Sequence, residues 1–383
     1  MKARRVVVVG GGPAGLYFSY LLKRTRPADR VEVFEQNPRD ATFGFGVVLS
    51  HRALERLEAV EPKSATAMRH AMRLNRDQVI YHNGEGILVD HVGFGGAIGR
   101  LTLLTILRQF CQDAGVALHF GHRVSNIASL GDADLVVGAD GINSMVRSAN
   151  VAAFGTSVGQ LSNRFAWYGT RTSFEQAGLS FKNHQGGYFV GHYYPYTEEM
   201  GTFVAECDDS TWRNSVEQLT EDARQSLMEQ VFEKELQSQP LIYNRSTWRQ
   251  FPVIANQRWS VGNQVLIGDA VQSAHFSIGS GTRVAIDDAI ALWESLTNCP
   301  EILQALANFE RVRAPIKAKL LDAAQASYSW YENFPRKLDS LAPLDFTFDF
   351  MMRTGRMDAD RLRTEHPRFM ARYERECRHS QPP

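Results

Sequence analysis

At 383 residues the chain can bury a large core, which accommodates one to three domains. Its 42 basic side chains are balanced by 42 acidic ones, so it lacks the strong positive field that attracts nucleic acid or an anionic membrane surface. No apolar stretch reaches the roughly 20 residues of a membrane helix, and the four scattered cysteines fit neither a disulfide framework nor a zinc site. We therefore expect a cytoplasmic protein with no nucleic-acid partner, no membrane partner and no bound metal.

The N-terminal segment has the pattern of a strand, a glycine-rich turn and a helix. Four valines at residues 6–9 predict a buried parallel strand, and residues 16–24 predict the helix. In such a turn the first glycine permits the sharp bend, the second lets the backbone approach a pyrophosphate, and the third lets helix and strand pack closely. The helix N-terminus then offers free N–H groups to phosphate. The residues that we expect to bind a dinucleotide here are Gly10, Gly12, Pro13, Ala14 and Gly15.

An acidic residue follows this turn at the distance that dinucleotide sites require. Glu35 ends the second predicted strand, residues 31–35. A carboxylate at this place hydrogen-bonds the ribose hydroxyls of the bound nucleotide, and it would repel a 2′-phosphate. The resident nucleotide is therefore expected not to be NADP.

A further candidate for cofactor contact precedes the helix predicted over residues 101–114. Arg100 could reach a phosphate or the edge of a flavin, whereas Leu103 and Leu107 have the spacing of any amphipathic helix. A solvated surface arginine is the alternative interpretation of Arg100, and this motif alone does not decide between the two.

The region from residue 151 to residue 258 has a different character. Aromatic and β-prone runs dominate it, with one helix near residues 221–235, and they predict a mainly antiparallel sheet. The fold class is thus α/β with an α+β insert. The predicted units are a discontinuous nucleotide-binding domain (1–70, 98–150 and 259–300), a substrate-binding β-sheet domain (71–97 and 151–258) and a C-terminal helical region (301–383).

Asp269 ends another predicted buried strand, and a Gly-x-Gly turn follows at the start of the next helix, residues 282–296. A carboxylate there can bind the ribityl chain of a flavin, and the turn lets backbone amides approach the pyrimidine end of its ring. The helix N-terminus would stabilise negative charge on a reduced flavin. An ordinary helix cap is the alternative role of Asp269. The turn residues that we assign to the flavin are Gly279, Gly281 and Thr282.

Five motifs occur in one order: the glycine-rich turn, Glu35, the helix start at Arg100, the segment GADGINSMVR at residues 138–147, and the strand end at Asp269. In this combination the chain resembles the single-component, FAD-dependent aromatic hydroxylases. The resemblance implies a Rossmann-like domain that holds FAD non-covalently, with Asp140 contributing to the binding of FAD and of NAD(P)H. Because the chain has one glycine fingerprint, NADH or NADPH is expected to bind transiently. The resemblance also implies that the reduced flavin reacts with O2 to form a C4a-hydroperoxide, which hydroxylates the substrate.

Some segments resemble narrower groups within this family. Residues 44–50, 273–282 and 350–358 resemble salicylyl-CoA 5-hydroxylase and 2-aminobenzoyl-CoA monooxygenase, which implies a hydroxy- or aminobenzoyl-CoA substrate. Arg353, in the last segment, is then a candidate for CoA phosphate, because its forked donors suit that group; a solvated basic face is the alternative. The tryptophan hydroxylase of violacein synthesis has segments similar to the first two, and this chain also resembles it at residues 167–170 and 192–194. A free aromatic acid or an indole is therefore the alternative substrate.

Three departures from the wider family lie near the flavin turn, the Gly-x-Gly segment at residues 279–281. Phe276 stands where the family has a proline, Arg283 replaces a common asparagine, and the usual Asp-Ala-Ala-His becomes Asp-Ala-Val-Gln at residues 269–272. Two other activities also stay open: a flavin-binding protein without hydroxylase activity, and a flavin reductase acting on isoprenoid double bonds.

Hydroxylation of a phenol is assisted by a base that holds the phenol's proton. His275 and His192 are the candidates, and a structural histidine is the alternative for each. We expect a small aromatic substrate in a pocket lined by Trp167, Tyr194 and Phe276. Packing within an aromatic core is the alternative explanation for these side chains. The chain is expected to be a monomer or a homodimer.

Overall fold

The structure is a computed structural model that describes residues 3–41, 44–244, 247–279 and 281–380. Its strands, numbered in chain order, are β1 (Arg5–Val9), β2 (Arg30–Phe34), β3 (Gly46–Leu49), β4 (Arg73–Asn75), β5 (Gln78–His82), β6 (Glu85–Val89), β7 (Gly95–Gly99), β8 (Ala117–His119), β9 (Leu135–Gly138), β10 (Thr156–Thr170), β11 (Ala177–His184), β12 (Gly187–Pro195), β13 (Gly201–Cys207), β14 (Leu241–Tyr243), β15 (Arg249–Asn256), β16 (Ser260–Val261) and β17 (Gln264–Leu266).

The helices are α1 (Pro13–Thr25), α2 (His51–Val60), α3 (Pro62–His70), α4 (Arg100–Ala114), α5 (Met145–Ser148), α6 (Val151–Phe154), α7 (Asp209–Thr211), α8 (Glu221–Val231), α9 (Glu233–Leu236), α10 (Gly281–Asn298), α11 (Ile302–Glu332), α12 (Phe334–Ser340), α13 (Pro343–Met352), α14 (Ala359–Glu365) and α15 (Pro367–Ser380). None of the helices within the described ranges is long and apolar enough to span a membrane. The chain is a mixed α/β protein with a Rossmann-like domain, as the sequence predicts.

A six-stranded sheet with the order β16-β17-β9-β1-β2-β8 forms the first layer. Its centre is parallel: β1 pairs with β2 on one side and with β9 on the other. The valines of β1 are buried in a core to which α1, α4 and α10 contribute side chains. The β-branched side chains that fill this layer also favour the extended backbone.

The carboxyl ends of the parallel strands meet at one edge of this sheet. Val9 is in register with Phe34 and Gly138, and Gly138 is in register with Leu266. The residues that follow these four strands, among them Gly10, Glu35, Asp140 and Asp269, therefore lie along the same edge. This edge is the place where nucleotides bind to open α/β sheets.

The second layer is an eight-stranded sheet in which all described pairs are antiparallel except that of β5 with β11. Successive side chains of a strand point to opposite faces. In β12, Phe189 and Tyr193 join the core under α8, whereas Val190 joins the core formed with α11 to α15. His192 therefore points to the second face, towards the C-terminal helices.

Two features of the fold were not predicted. A three-stranded sheet, β3-β7-β4, connects the two larger sheets, and α3 follows α2 after a single residue. The strands of this sheet have three to five residues and α3 has nine, which is too short for a clear hydrophobic periodicity. Through Gly46 and Thr202 the small sheet is bonded to β13, since the Gly46 N–H donates to Thr202 Oγ1 over 2.8 Å.

The helix α11 packs against both layers. Near its middle, the buried Lys317 donates to Asp288 of α10 over 2.7 Å and to the carbonyl oxygen of Gly268 over 3.2 Å. Arg313 donates to the other oxygen of Asp288 over 2.9 Å. Asp288 also accepts from the Gly268 N–H over 3.0 Å. This buried ionic cluster fixes the turn that carries Asp269.

Candidate active site

The glycines of the N-terminal turn differ in the space beside them: Gly10 and Gly15 are packed against the protein, whereas Gly12 borders open space. Gly10 has φ +107°, and a Cβ atom there would lie 2.4 Å from the carbonyl oxygen of Ala139. A Cβ atom on Gly15 would lie 2.1 Å from the oxygen of Gly10, so the helix and the turn pack as closely as the motif predicts. A Cβ atom on Gly12 would meet nothing within 4 Å. The free space beside Gly12, at the N-terminus of α1, is where a pyrophosphate fits.

Glu35 is held beside this turn by three N–H groups. Its Oε2 accepts from Gly11 N over 2.7 Å, and its Oε1 accepts from Asn37 N over 2.8 Å and from Asn37 Nδ2 over 2.6 Å. The carboxylate is half-buried, and Oε2 keeps one of the carboxylate's roughly four acceptor sites free. It can therefore still accept a hydrogen bond from a ribose hydroxyl.

Asp140 presents an unsatisfied acceptor at the same edge. Its Oδ2 accepts from Met145 N over 2.6 Å, whereas the buried Oδ1 has no hydrogen-bond partner among the described residues. Burial raises the pKa of Asp140, and hydrogen bonds from Ser144 and Met145 oppose that shift. A buried polar atom without a partner is costly, and a donor on a bound molecule would satisfy it.

Asp269 and Arg100 are close enough at this edge for the charge of each to affect the pKa of the other. The Asp269 side chain is solvent-exposed, yet the walls of the cleft raise its pKa, and the charges of Lys317 and Arg100 oppose that shift. Burial lowers the pKa of Arg100, against the charges of Asp269 and Glu35. No residue in the described part of the chain accepts a hydrogen bond from the Arg100 guanidinium. Both charged groups are therefore available to a ligand in the cleft.

The Gly-x-Gly turn completes one continuous opening. Gly279 has φ +58°, and Cβ atoms on Gly279 or Gly281 would meet nothing within 4 Å. Thr282 lies half-buried in the first turn of α10, and Ser280 lies outside the described residues. The open glycines, the unpartnered oxygen of Asp140 and the exposed carboxylate of Asp269 are the features that an extended dinucleotide requires. These residues fit FAD.

We expect Asp269→Ala to weaken FAD binding by one to two orders of magnitude. Loss of a hydrogen bond to a charged group costs about 1.5–3 kcal/mol, and Ala cannot accept one from the ribityl chain. Titration of the flavin-free protein with FAD measures the dissociation constant. Asp269→Asn, which keeps an acceptor oxygen, should lose less. An unchanged constant in Asp269→Ala would make this residue a helix cap only.

Aromatic side chains cluster between the loop that carries Phe276 and one face of the eight-stranded sheet, and we call this cluster the aromatic pocket. Trp167 of β10 and His192 of β12 are both opposite Val204 of β13, so they lie on one face. Phe276 covers them, with its ring centroid 6.1 Å from that of Trp167 and 5.4 Å from that of His192. Phe165 lies 4.7 Å from Phe276. Three of the sequence-predicted residues thus meet in one pocket.

Glu206 was missed by the sequence analysis. It is buried on β13, and its Oε2 lies 3.0 Å from His192 Nε2, while Oε1 accepts from Asn163 Nδ2 over 2.8 Å. Burial alone would raise the pKa of Glu206, but the hydrogen bonds from His192 and Asn163 oppose it and the pKa is lowered. The carboxylate is therefore ionised, and His192 donates to it through Nε2–H. A signal existed: Glu206 is the one charged residue of an otherwise uncharged, fully buried strand.

His275 lies deeper than His192. Its Nδ1 accepts from Ser277 N over 3.3 Å, and its ring packs on Phe276 and Phe251 at centroid distances of 4.2 and 4.8 Å. Burial lowers the pKa of His275 to about 4, against the charge of Glu206. The imidazole is therefore neutral at neutral pH, and Phe276 lies between it and the centre of the pocket.

This burial predicts a pH dependence of stability. The pKa of His275 is about 4 in the folded protein and about 6.5 in an unfolded chain, so its contribution is complete above pH 6.5 and is lost as pH falls towards 4. Between pH 7.5 and pH 5 the free energy of unfolding should fall by about 2 kcal/mol because of this group. Urea unfolding at both pH values measures the loss, and His275→Gln should lose about 2 kcal/mol less than the native protein. Equal losses would contradict the neutral state.

The side chains of two predicted substrate contacts, Tyr194 and Arg353, form hydrogen bonds within the protein. Tyr194 Oη donates to the carbonyl oxygen of Gly46 over 2.9 Å. The Arg353 guanidinium donates to Ser327 Oγ over 3.1 Å, and over 2.9 Å to each of the carbonyl oxygens of Phe350 and Ser277. Each of the three guanidinium nitrogens of Arg353, which a phosphate would use, thus already donates to an oxygen of the protein. Arg353 connects α13 and α11 to the loop that carries Phe276.

Tyr331 offers the pocket a hydroxyl that the sequence did not indicate. Its ring stacks on His192 at a centroid distance of 5.3 Å, and its buried hydroxyl has no hydrogen-bond partner within the described ranges. Burial raises the pKa of Tyr331, so the group stays a neutral donor. A polar atom of a bound molecule would satisfy it.

Comparison with known proteins agrees with this geometry. A family described as an FAD binding domain matches residues 97–324, and one described as an NAD(P)-binding Rossmann-like domain matches residues 8–42. The salicyloyl-CoA 5-hydroxylase of a Streptomyces species is 36% identical over 363 residues, which cover 91% of this chain and 70% of that protein. The 3-hydroxy-4-methyl-anthranilyl-(aryl-carrier protein) 5-monooxygenase of Streptosporangium sibiricum is 35% identical over 343 residues, 88% of this chain and 93% of that protein.

The fold also occurs among solved structures. A tetrameric form of 2-methyl-3-hydroxypyridine-5-carboxylic acid oxygenase superposes with a TM-score of 0.72, covers 94% of this chain and 96% of its own, and is 17% identical. At this identity the likeness concerns the fold alone.

Proposed function

This chain belongs to the FAD-dependent monooxygenases that hydroxylate aromatic rings, and from that premise we propose that its substrate is a hydroxy- or aminobenzoyl-CoA thioester. The observation that carries the proposal is the pocket beside the flavin turn, where aromatic walls enclose a histidine paired with a buried carboxylate. Both similar enzymes are named for aromatic acyl groups joined to a carrier, CoA in one and an aryl-carrier protein in the other.

The cleft would bind the cofactor, and the aromatic pocket would bind the substrate. Gly12, Glu35, Asp140, Arg100 and Asp269 would hold FAD along the edge of the six-stranded sheet. When bound and reduced by NADH or NADPH, FAD supplies an electrophilic oxygen derived from O2. Phe165, Trp167 and Phe276 would exclude water from an arene bound beside His192.

His192 is the base that we propose for the substrate hydroxyl or amine. Because its Nε2–H donates to ionised Glu206, its Nδ1 carries the free lone pair. Nδ1 can accept the proton of a phenol, and Glu206 then stabilises the imidazolium that forms, as a buried carboxylate does in catalytic triads. A ring that loses this proton becomes more electron-rich at its para position, where we expect oxygen to be added. Tyr331 Oη, which has no partner within the described residues and whose ring stacks on His192, is the donor that we propose for the same substrate.

A free aromatic acid or an indole is the second candidate substrate, because residues 167–170 and 192–194 resemble the tryptophan hydroxylase of violacein synthesis. The test is a substrate panel: salicyloyl-CoA and 2-aminobenzoyl-CoA against salicylate, anthranilate and tryptophan. We expect hydroxylated product in proportion to NAD(P)H consumed with a thioester, and peroxide with the others. Coupled turnover of a free acid or of tryptophan alone would reject the thioester proposal. A protein that oxidises no NAD(P)H with any of them would be a flavin-binding protein without hydroxylase activity.

A further inference from the structure

Four arginines from three segments of the chain lie near one another: Arg52, Arg283, Arg356 and Arg361, called here the arginine cluster. We infer that this cluster binds the phosphate groups of the CoA part of the substrate, while the acyl part occupies the aromatic pocket. The inference rests on the proposed function and adds to it the site that would recognise the carrier.

The cluster is assembled from three separate parts of the chain. Arg52 of α2 and Arg361 of α14 both contact Glu365, over 3.4 and 2.8 Å. Arg361 also donates to the backbone oxygen of Arg356, which joins the segment after α13 to the group. Arg283 lies in the first turn of α10, within reach of the charges of Arg52 and Arg356: burial lowers its pKa most, and those two cations lower it further.

Within the described residues, the four arginines of the cluster have fewer carboxylates beside them. Glu365 is shared by Arg52 and Arg361, Asp287 lies 3.5 Å from Arg283, and Asp358 accepts from the Arg361 N–H over 2.8 Å. The exposed Arg356 side chain donates to no acceptor in the described part of the chain. The whole chain has no net charge, so this surplus is a local feature. Arginine forks bind phosphate oxygens in pairs and suit a polyphosphate better than a single carboxylate.

The cluster adjoins the pocket through two short connections. Arg283 follows Gly281 by two residues, and Arg356 follows Arg353 by three. Arg353 in turn donates to the Ser277 carbonyl oxygen, next to Phe276. The segment from Phe276 to Arg283 thus connects the aromatic pocket to the cluster along the chain. A CoA thioester has the same polarity, with its arene at one end, a flexible arm between and its phosphates at the other.

The structure also separates this site from the other arginines of the C-terminal segment. Arg353 uses its nitrogens to hold the flavin turn. Arg363 is paired with Asp360 and with Glu374, over 2.5 and 2.6 Å. Because its charge is already balanced, Arg363 has no surplus to offer a phosphate. It provides a matched control from the same segment.

The test compares two substrates that share one arene: salicyloyl-CoA and salicyloyl-N-acetylcysteamine, which has the thioester but no phosphate. In the double variant Arg52→Ala/Arg356→Ala, kcat/KM for salicyloyl-CoA should fall roughly tenfold or more. The same variant should change kcat/KM for the truncated thioester less than about twofold, because that substrate never reaches the cluster. Arg363→Ala should behave as the native enzyme with both. Flavin content and melting temperature confirm that each variant is folded.

Three results would overturn the inference: equal losses with both thioesters, no loss with either, or a raised KM for NADH or NADPH with both, which would assign the cluster to the nicotinamide nucleotide. If neither thioester is hydroxylated, the proposed function is wrong and calorimetric titration of the holoenzyme with CoA alone decides the site. Binding of CoA that the double variant loses would then still support the cluster. A native holoenzyme that binds no CoA would reject it.

Discussion

Gly12→Val should yield a folded, colourless protein without hydroxylase activity. Gly12 has an extended backbone, φ −78° and ψ 178°, which valine adopts without strain. Its Cβ atom would meet no protein atom within 4 Å. The added side chain therefore projects into the space that we assign to the pyrophosphate and blocks the cofactor without disturbing the core. Flavin absorbance per protein and NAD(P)H oxidation are the measurements.

A matched control lies on the eight-stranded sheet. A Cβ atom on Gly159 would meet only Val253, at 3.9 Å, so Gly159→Val adds the same group in open space away from the cleft. This variant should stay yellow and active. Full flavin occupancy in Gly12→Val would show that the N-terminal turn does not hold the pyrophosphate.

Glu206→Gln should lower the turnover of hydroxylated product about a hundredfold, within the range that general acid–base catalysis contributes. Glutamine keeps the shape of the side chain and an oxygen for Asn163, but it removes the charge that stabilises protonated His192. Product formation by stopped-flow and chromatography measures the loss. The rate of flavin reduction by NAD(P)H should stay unchanged, because that step does not involve the base.

The pH profile distinguishes a catalytic pair from a merely structural one. In Glu206→Gln the rate should recover as pH rises through the pKa of the substrate phenol, since a phenolate needs no base. Glu332→Gln is the control: this carboxylate of α11 accepts from Ser162 Oγ and adjoins Tyr331 in sequence, but it has no contact with His192. An equal loss in both variants, with no recovery at high pH, would make the effect structural.

The cofactor cleft could be predicted from the sequence because its parts are local. Each of its charged groups follows a strand or begins a helix, and parallel strands bring their carboxyl ends to one edge whatever the rest of the chain does. A run of valines before Gly10 is enough to place that turn. Glu35 and Asp269 were found in the same way, from the ends of strands that were themselves recognisable.

The pocket could be predicted only in part, because it depends on register between strands that are distant in sequence. His192 meets Glu206 because of the pairing of β12 with β13, and no spacing in the sequence states that pairing. Tyr331 lies at the end of a long helix whose rotation is set by packing. Arg353 was expected to contact phosphate, and only the fold shows that its donors are used by Ser277, Ser327 and Phe350.

The helix α11 has a consequence for how such a protein can change over evolutionary time. Lys317 holds the turn of the flavin edge, and Tyr331 stacks on His192 about four helical turns further along. A single residue inserted or deleted between them would rotate every later side chain by about 100° and shift it by about 1.5 Å. Substitutions in this stretch can accumulate as long as the count of residues is kept. We therefore expect the number of residues between Lys317 and Tyr331 to be conserved more strictly than the identities of those residues.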